Sequence, residues 1–401
     1  MAQTLKFGNG NFATKANSTL CYDDQNGNFK PIPMDFTRAS TATRVNKQGL
    51  IEVVKSNVPR IDYTDTSDGV LLLENAATNL VTYSEDISQS VWQKNSVGSA
   101  SAPIIASNFA VSPDGTQNAT RVQFNISGST SSDRSSLESV FALDGSSSYT
   151  LSFYIKSNTG VNQNLSVWLN SVYGNNITVT NEWVRVEQTF SSNSTFNRGF
   201  GLAASGDIQQ SVDVLIFGFQ LEQNSVSSSY IPTQGSAVTR VAETATDSGN
   251  SEVFNDSEGV LFADIAALAN DSTNRSLSIN DGSTSNRVMI KYDNESNKIQ
   301  AQTGTAIVAF INDITRYAKI AFKYKSGDFA LWVDGFESGS NTTSSIPSGL
   351  DRLSFDDGNN ARQMYGKTKE IGYYDTILTD LELETLTSYR TWISMVNELN
   401  L

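Results

Sequence analysis

Apolar and polar residues alternate along much of the chain, a pattern typical of β-strands that bury one face. One such run carries Leu151, Phe153 and Ile155 on the same side of the predicted strand. The run Val212–Leu221 is instead apolar on both faces. It therefore predicts a central strand that is covered on both sides. Together these runs predict a β-sandwich in the middle of the chain.

Alternation resumes after Gly259 and predicts a second sandwich. Val288–Tyr292 and Lys298–Gln302 flank a short polar segment, which favours a hairpin. The segments 320–324 and 329–333 predict another hairpin in the same way.

The end of the chain has helical rather than β periodicity. Thr379 and Glu382 have the spacing of a capping box at a helix start. The apolar stripe expected along one helix face consists of Leu386, Tyr389, Ile393 and Val396. We therefore predict one C-terminal helix whose stripe packs on a sandwich or on a neighbouring subunit.

These patterns divide the chain into four regions. The polar stretch between the two alternating regions is rich in Ser, Thr and Gly and predicts a linker. The predicted regions are a loop-rich N-terminal segment (1–75), a first sandwich (76–235), a linker (236–257) and a second sandwich with the helix (258–401).

Composition excludes several kinds of chemistry. The 401 residues include no histidine, so imidazole bases and His-ligated metals are absent. The single cysteine, Cys21, cannot form an intrachain disulfide, and no imidazole is present to activate it. The net charge of −14 argues against nucleic acid or an anionic membrane as the partner.

Charge is distributed unevenly along the chain. Residues 1–60 hold eight Lys/Arg and four Asp/Glu, a net of +4, whereas residues 251–401 hold 13 and 21, a net of −8. Ordinary surface variation accounts for this difference, and the alternative is a basic anchor that docks on an acidic partner. No apolar run is long enough to span a membrane, and the N-terminus lacks the apolar core of a signal peptide. We therefore expect synthesis in a cytoplasm.

Paired carboxylates would be needed for glycoside hydrolysis. Glu370 and Asp375 are an odd number of residues apart and would point to opposite faces of a strand. Glu382 and Glu384 diverge on the predicted helix. The sequence therefore predicts no catalytic residues and no enzyme.

Calcium is the one metal that the sequence leaves open. The turn 356–360 offers several Asp and Asn oxygens, although its spacing is not that of an EF-hand and such runs are common in turns. The strand VLIFGFQLEQ offers only Glu222 as a late carboxylate. We predict no metal-ligating residues and regard structural Ca²⁺ as an option rather than a requirement.

Exposed aromatic rings are the best candidates for a ligand site, because a flat ring stacks on the apolar face of a sugar. Trp168 alternates with the core-facing Val167, Tyr173 follows in the next turn, and Trp332 alternates with Leu331. We therefore predict carbohydrate binding by Trp168, Tyr173 and Trp332. The alternative is that these rings cover a sheet edge or pack under a loop.

Two sequence tags carry a family resemblance. The first tag, Phe36–Asn46 (FTRASTATRVN), is followed by VPRIDY and LLLENAATNL; the second tag, Ser227–Val241 (SSSYIPTQGSAVTRV), closes the first sandwich. With SPDGTQNATRV at Ser112, these strings resemble a family of bacteriophage virion proteins, namely tail-fibre, receptor-binding or capsid-fibre proteins with a carbohydrate-binding-module-like jelly roll. The strings FALWVDG and EIGYYDTILTDLELETL are similar to the end of a concanavalin A/laminin-G-like lectin sandwich.

The resemblance implies an all-β fold: a jelly-roll β-sandwich plus a concanavalin A-like β-sandwich, with a short N-terminal attachment region and one C-terminal helix. It implies a virion fibre or receptor-binding subunit that binds cell-surface or environmental glycans without catalysis. Expected partners are other virion proteins, glycans and further copies of the chain, for which a trimer is one option. The alternatives are a capsid or tail decoration protein that makes only protein contacts and, less favoured, a polysaccharide depolymerase.

Overall fold

The computed structural model describes residues 3–140, 143–144, 147–169, 172–191 and 200–399. This part of the chain is almost entirely β, which confirms the predicted all-β class. The chain divides into two compact units. The terminal unit contains residues 1–47, 54–75 and 241–401, and the inserted unit contains residues 48–53 and 76–240.

Most strands are short and are separated by turns. The strands before residue 76 are β1 (Leu5–Gly8), β2 (Thr14–Lys15), β3 (Ser18–Asp23), β4 (Lys30–Thr37), β5 (Ala42–Val45), β6 (Ile51–Val54), β7 (Arg60–Asp62) and β8 (Val70–Leu73), with a 3₁₀ turn at Gln25–Gly27.

The strands between residues 76 and 240 are β9 (Ala77–Asn79), β10 (Trp92–Val97), β11 (Ala100–Ala110), β12 (Ala119–Ile126), β13 (Arg134–Ser139), β14 (Ser148–Ser157), β15 (Gln163–Leu169), β16 (Val172–Val179), β17 (Val184–Ser191), β18 (Phe200–Ser205), β19 (Ser211–Glu222) and β20 (Val238–Arg240).

The remaining elements are β21 (Thr244–Thr246), β22 (Glu258–Ala267), β23 (Arg275–Asn280), β24 (Arg287–Tyr292), β25 (Lys298–Gln302), β26 (Ile307–Phe310), β27 (Ala318–Lys325), β28 (Phe329–Val333), β29 (Phe336–Asn341), β30 (Arg352–Ser354), β31 (Gly366–Tyr374), α1 (Asp380–Thr387) and α2 (Trp392–Leu399).

The inserted unit is the jelly-roll sandwich. One antiparallel sheet has the order β10-β13-β18-β15-β16 and the other β11-β12-β19-β14-β17. The apolar run predicted as a central strand is β19, which lies in the middle of its sheet. Between the sheets, the Phe219 ring centroid lies 4.6 Å from that of Trp92 and 5.1 Å from that of Phe153. Aromatic packing of this kind fills the space between the two sheets.

The terminal unit is the second sandwich. Its larger sheet contains the path β21-β4-β3-β1-β31-β22-β27-β28-β29, and its smaller sheet has the order β26-β25-β24-β23-β30. Both predicted hairpins form: β24 pairs with β25, and β27 pairs with β28 in the register Ile320↔Val333 and Phe322↔Leu331. The inward faces of the two sheets share one apolar core.

The N-terminal segment belongs to this second sandwich, which differs from the predicted loop-rich region 1–75. Strand β1 pairs with both β3 and β31. Leu5, Phe7 and Met34 are fully buried in the same core as residues from β22 and β27. Sequence reasoning missed this because β1 has only four residues, too few to show alternation, and because its partner strand is more than 350 residues away.

The polar stretch 236–257 is also more structured than the predicted linker. Its first part forms β20, which pairs with β9, and β21 pairs with β4. Ala245 and Phe254 are buried in the core of the terminal unit. The structural boundary therefore lies at residues 240–241, close to the predicted end of the first sandwich at 235.

The C-terminus contains two short helices where the sequence predicted one. The capping box of Thr379 and Glu382 is present at the start of α1. The first helix ends because Ser388 adopts an extended backbone conformation. The backbone N–H of Thr391 donates to Ser394 Oγ, and the backbone N–H of Ser394 donates to Thr391 Oγ1, each at 3.0 Å. These two residues form a second capping box at the start of α2. Among the described residues, no helix is long and apolar enough to cross a membrane.

A buried ion network ties segments distant in sequence together in the terminal unit. The Glu243 carboxylate accepts hydrogen bonds from Arg38 Nη1 (2.6 Å) and Arg60 Nε (2.9 Å), and also from Arg60 Nη2. Arg60 Nη2 lies 2.8 Å from Glu74 Oε2. Burial alone would lower the pKa of Arg60, but the charges of Glu243 and Glu74 outweigh it and raise that pKa. The network therefore keeps its charges in the interior because each has a partner.

We expect Phe7→Ala to destabilise the terminal unit by about 3–5 kcal/mol, because the fully buried ring leaves a cavity. Phe29→Ala is the matched control, since that ring is 74% exposed. Urea denaturation of the full chain, followed by circular dichroism, measures both. Equal stability of the two variants would show that the N-terminal strands are not part of the core.

Glu243→Gln removes the charge that two buried guanidinium groups share. We expect the free energy of unfolding to fall by about 3–5 kcal/mol, because the substitution leaves the buried positive charges of Arg38 and Arg60 without enough negative charge nearby. Glu252→Gln, at an exposed position, makes the same change of net charge and serves as the control. A thermal shift of similar size in both variants would contradict the role of the network.

Candidate functional site

A pocket of about 570 Å³ opens in the inserted unit. This volume is within the usual range for small-molecule sites. Three segments contribute to it: residues 83–88 after β9, residues 107–118 around the end of β11, and residues 232–234 of the second tag. The lining residues are Tyr83, Glu85, Asp86, Ser88, Ser107, Asn108, Asn118, Pro232, Thr233 and Gln234.

The fully buried Asn79 fixes the two chain segments that enter the pocket. Its amide nitrogen donates to the carbonyls of Phe219 (3.0 Å) and Ile231 (2.8 Å). Its amide oxygen accepts from the backbone N–H groups of Val81 and Leu221, each at 3.1 Å. One side chain thus joins the segment after β9, the central strand β19 and the second tag.

A second set of hydrogen bonds joins Ser84 and Glu85 to the second tag. Thr233 N–H donates to Ser84 Oγ (2.9 Å), and Ser84 N–H donates to Thr233 Oγ1 (3.0 Å). The Tyr230 hydroxyl lies 2.7 Å from Ser84 Oγ and donates to Glu85 Oε1 at 2.9 Å. These buried contacts position the carboxyl group of Glu85.

An irregularity in β11 contributes Ser107 and Asn108 to the pocket lining. The register of β11 with β12 shifts between Ala106 and Ala110, and Asn108 adopts a left-handed backbone conformation with φ of 53°. Gln117 Nε2 donates to the Asn108 carbonyl at 3.1 Å and holds this bulge. Bulges commonly redirect side chains next to functional sites.

The pocket carboxyl groups differ in their electrostatic environment. Burial, together with the charge of Asp114, raises the pKa of Glu85, although hydrogen bonds from Tyr230 and Asn118 oppose this. Hydrogen bonds from Ser88 and Gln89 lower the pKa of Asp86. Asp86 therefore stays ionised over the neutral range, whereas Glu85 takes up a proton more readily.

Tyr83 supplies the aromatic surface of the pocket. Its ring is half-buried, and its hydroxyl makes no hydrogen bond within the part of the chain that the structure describes. Gly235 follows with φ of 96°, and a Cβ at that position would lie 3.7 Å from the Tyr83 hydroxyl. The ring and its hydroxyl are thus available to a ligand.

The predicted sugar platform on β15 is not exposed. Trp168 is only 4% exposed, so the expectation that its ring is accessible is wrong. Alternation correctly places Val167 in the core, but it does not tell whether the other face of the strand is covered. Tyr173 lies opposite Trp168 in the register of β15 and β16, and its side chain lies outside the described residues.

The expectation of an exposed ring is also wrong for Trp332. It is 7% exposed and packs in a small apolar cluster with Phe262, Ala321 and Leu383. Leu383 belongs to α1, so the helix covers the outer face of the sheet at this point. Trp332 is therefore part of the helix–sheet interface rather than an open surface.

The turn 356–360 is occupied by internal contacts. Asp356 Oδ1 accepts from the backbone N–H of Gly358 at 2.6 Å, and Asp357 Oδ2 lies 3.3 Å from Arg362 Nη1. Glu222 accepts from the Ser228 hydroxyl at 2.6 Å. No group of three or more Cys, Asp or Glu side chains within the described ranges is arranged to hold a metal ion.

A smaller pocket of about 230 Å³ in the terminal unit contains a carboxyl pair that the sequence did not reveal. Glu370 lies directly opposite Asp264 on the adjacent strands β31 and β22. Asp264 Oδ2 lies 3.9 Å from Lys319 Nζ. Burial raises the pKa of Glu370, against the opposing charges of Lys319, Lys6 and Arg390.

Tyr83, Glu85 and Asn118 are the pocket residues that sequence reasoning missed. A usable signal existed, because Tyr83 and Glu85 come three and five residues after the end of LLLENAATNL and Asn118 lies within SPDGTQNATRV, both of which carry the family resemblance. In the structure, Asn118 of SPDGTQNATRV and residues 232–234 of the second tag line the pocket.

No protein-family model matches the chain, and no curated protein matches it. Among solved structures it is similar to the CBM40 module of the Ruminococcus gnavus IT-sialidase bound to α2,3-sialyllactose, with 13% identity, a TM-score of 0.29, and coverage of 33% of this chain and 83% of that chain. It is also similar to domain 4 of the arabinanase AbnA from Geobacillus stearothermophilus in complex with arabinotriose, with 10% identity, a TM-score of 0.30, and coverage of 40% of this chain and 82% of that chain. A third similar structure is the Trypanosoma rangeli sialidase in complex with sialic acid, with 10% identity, a TM-score of 0.30, and coverage of 92% of this chain and 65% of that chain.

These likenesses are too distant to carry an argument about a ligand. The class of the protein follows from its own strands and sheets: it is an all-β protein made of two antiparallel β-sandwiches, of which the inserted one is a jelly roll.

We expect Trp332→Ala to lower stability by about 3–5 kcal/mol, because the ring is packed under α1. Trp392→Ala removes a ring that is 74% exposed and should leave the melting temperature nearly unchanged. Differential scanning calorimetry compares the two. A stable Trp332→Ala protein would return that ring to the list of ligand candidates.

Proposed function

We propose that the protein is a non-catalytic phage virion subunit that binds glycans through the pocket of the inserted unit. The observation that carries the glycan part is the combination in one cavity of an accessible tyrosine ring with amide, hydroxyl and carboxylate groups. Sugars offer apolar C–H faces and many hydroxyls, and this lining complements both.

The geometry of the pocket also favours binding over simple surface adsorption. Asn79, Ser84 and Thr233 fix the lining segments through buried hydrogen bonds. A preorganised site loses less conformational entropy when a ligand binds. Such rigidity suits a small, directional ligand such as a sugar ring.

The virion part of the proposal rests on the tags, which resemble phage fibre and receptor-binding proteins. The strands of the N-terminal segment pack in the core of the terminal unit, so only its exposed side chains are available for attachment to a particle. Immunogold labelling of purified particles would locate the protein on the virion. Its absence from particles would overturn this part while leaving glycan binding open.

A decoration protein that makes only protein contacts is the second candidate. Exposed apolar side chains in the terminal unit favour it, namely Phe336, Leu381, Trp392 and Ile393. A glycan array separates the two candidates, because a decoration protein would bind no sugar. Release of reducing ends from a bound polysaccharide would instead favour a depolymerase, with Glu370 and Asp264 as the first residues to test.

We expect Tyr83→Ala to weaken glycan binding by about 1–3 kcal/mol, or roughly 5- to 150-fold in Kd, with little change in melting temperature. Tyr83→Phe keeps the ring and should retain most of the affinity. Phe109→Ala removes an exposed ring of the same unit that does not line the pocket, and it should bind like the wild type. Titration calorimetry with the strongest array ligand measures all three. Wild-type affinity in Tyr83→Ala would place the binding site elsewhere.

A further inference from the structure

The charged side chains that line the pocket of the inserted unit are both acidic. They are Glu85 and Asp86, and the lining contains no Lys or Arg. A third carboxylate lies behind them: Asn118 Nδ2 donates to Asp114 Oδ2 at 2.9 Å and to Glu85 Oε2 at 3.3 Å. The electrostatic potential inside the pocket is therefore negative.

Two of the four hydroxyl groups of the lining, those of Ser88 and Thr233, offer acceptors rather than donors. Ser88 Oγ already donates to Asp86 Oδ1, and Thr233 Oγ1 donates to the Val81 carbonyl, each at a distance of 2.5 Å. Each hydroxyl has one proton, so these groups have lone pairs left to offer but no hydrogen. Within the part of the chain described, Asn118 Oδ1 has no hydrogen-bond partner.

A ligand group that meets Glu85, Asp86 or these two hydroxyls must therefore donate hydrogen bonds. Sugar hydroxyls can do so, whereas an ionised carboxylate is an acceptor only. A carboxylate that approached Glu85 and Asp86 would meet like charge. Like-charge contacts of this kind are a common source of discrimination between ligands.

We propose that the pocket selects uncharged sugars and rejects sugars that carry a carboxylate, such as sialic and uronic acids. This inference rests on the proposed glycan-binding function of the same pocket. It adds the ligand class, which neither the fold nor the tags supply.

The test uses the full chain and matched glycan pairs: lactose with 3′-sialyllactose, and cellobiose with cellobiouronic acid. We expect the neutral member of a pair to bind at least about tenfold more tightly, equivalent to about 1.4 kcal/mol. The difference should shrink at high salt, because exposed charge–charge repulsion is screened. The salt measurement needs no variant and so does not depend on folding of a mutant.

Glu85→Gln removes one charge while it preserves the shape of the side chain. It should reduce the difference in affinity between the neutral and the acidic glycan of a pair, mainly because the acidic glycan binds more tightly. Glu182→Gln, an exposed position of the same unit outside the pocket, makes the same charge change and should leave the difference intact.

Three outcomes would overturn the inference. One is an acidic member that binds as tightly as its neutral partner, and another is a preference that neither salt nor Glu85→Gln alters. The third is a failure to bind any glycan on a broad array, which would also remove the proposed function. The first two outcomes contradict only the preference for uncharged sugars and leave glycan binding intact. Failure of this inference can therefore be distinguished from failure of the proposed function.

Discussion

The pocket depends on one constraint: the buried amide of Asn79 must satisfy both its donors and its acceptor. It does so only when the segment after β9, the strand β19 and the second tag lie side by side. An unsatisfied buried polar group costs about 1–3 kcal/mol, so alternative arrangements of these segments are disfavoured. The segments that line the pocket are thus positioned by the interior rather than by their own sequence.

The terminal unit applies the same rule with full charges. Glu243 lies between Arg38 and Arg60, and its Oε2 also accepts from the backbone N–H of Glu74 at 2.9 Å. Four segments separated by up to about 200 residues therefore have to meet at one point. Apolar residues would tolerate small shifts in register, but a buried ion network does not, because each shift would leave a charge without its partner. This explains the role of Arg38 in the first tag and of Arg60 in the string VPRIDY, neither of which contains a reactive group.

Local sequence signals predicted those parts of the fold that depend on neighbours in the chain. The hairpins around 293–297 and 326–328, the central strand β19 and the capping box at Thr379 all form as the pattern indicated. The failures lie where a distant segment decides the outcome. Strand β1 needs β31, Trp332 is covered by α1, and Glu370 meets Asp264 only across strands. Alternation reports which way a side chain points but not whether another element covers it, and so Trp168 and Trp332 are buried where the pattern predicted exposed rings.

The character of the pocket follows from where its hydrogen atoms are already committed. Hydrogen bonds that hold the pocket walls use the protons of Tyr230, Thr233 and Ser88. These three hydroxyls cannot turn a hydrogen towards an acceptor on a ligand without breaking a bond that fixes the shape of the pocket. Selectivity for donating ligands is therefore a consequence of the same interactions that stabilise the sandwich, since changing one would cost the other.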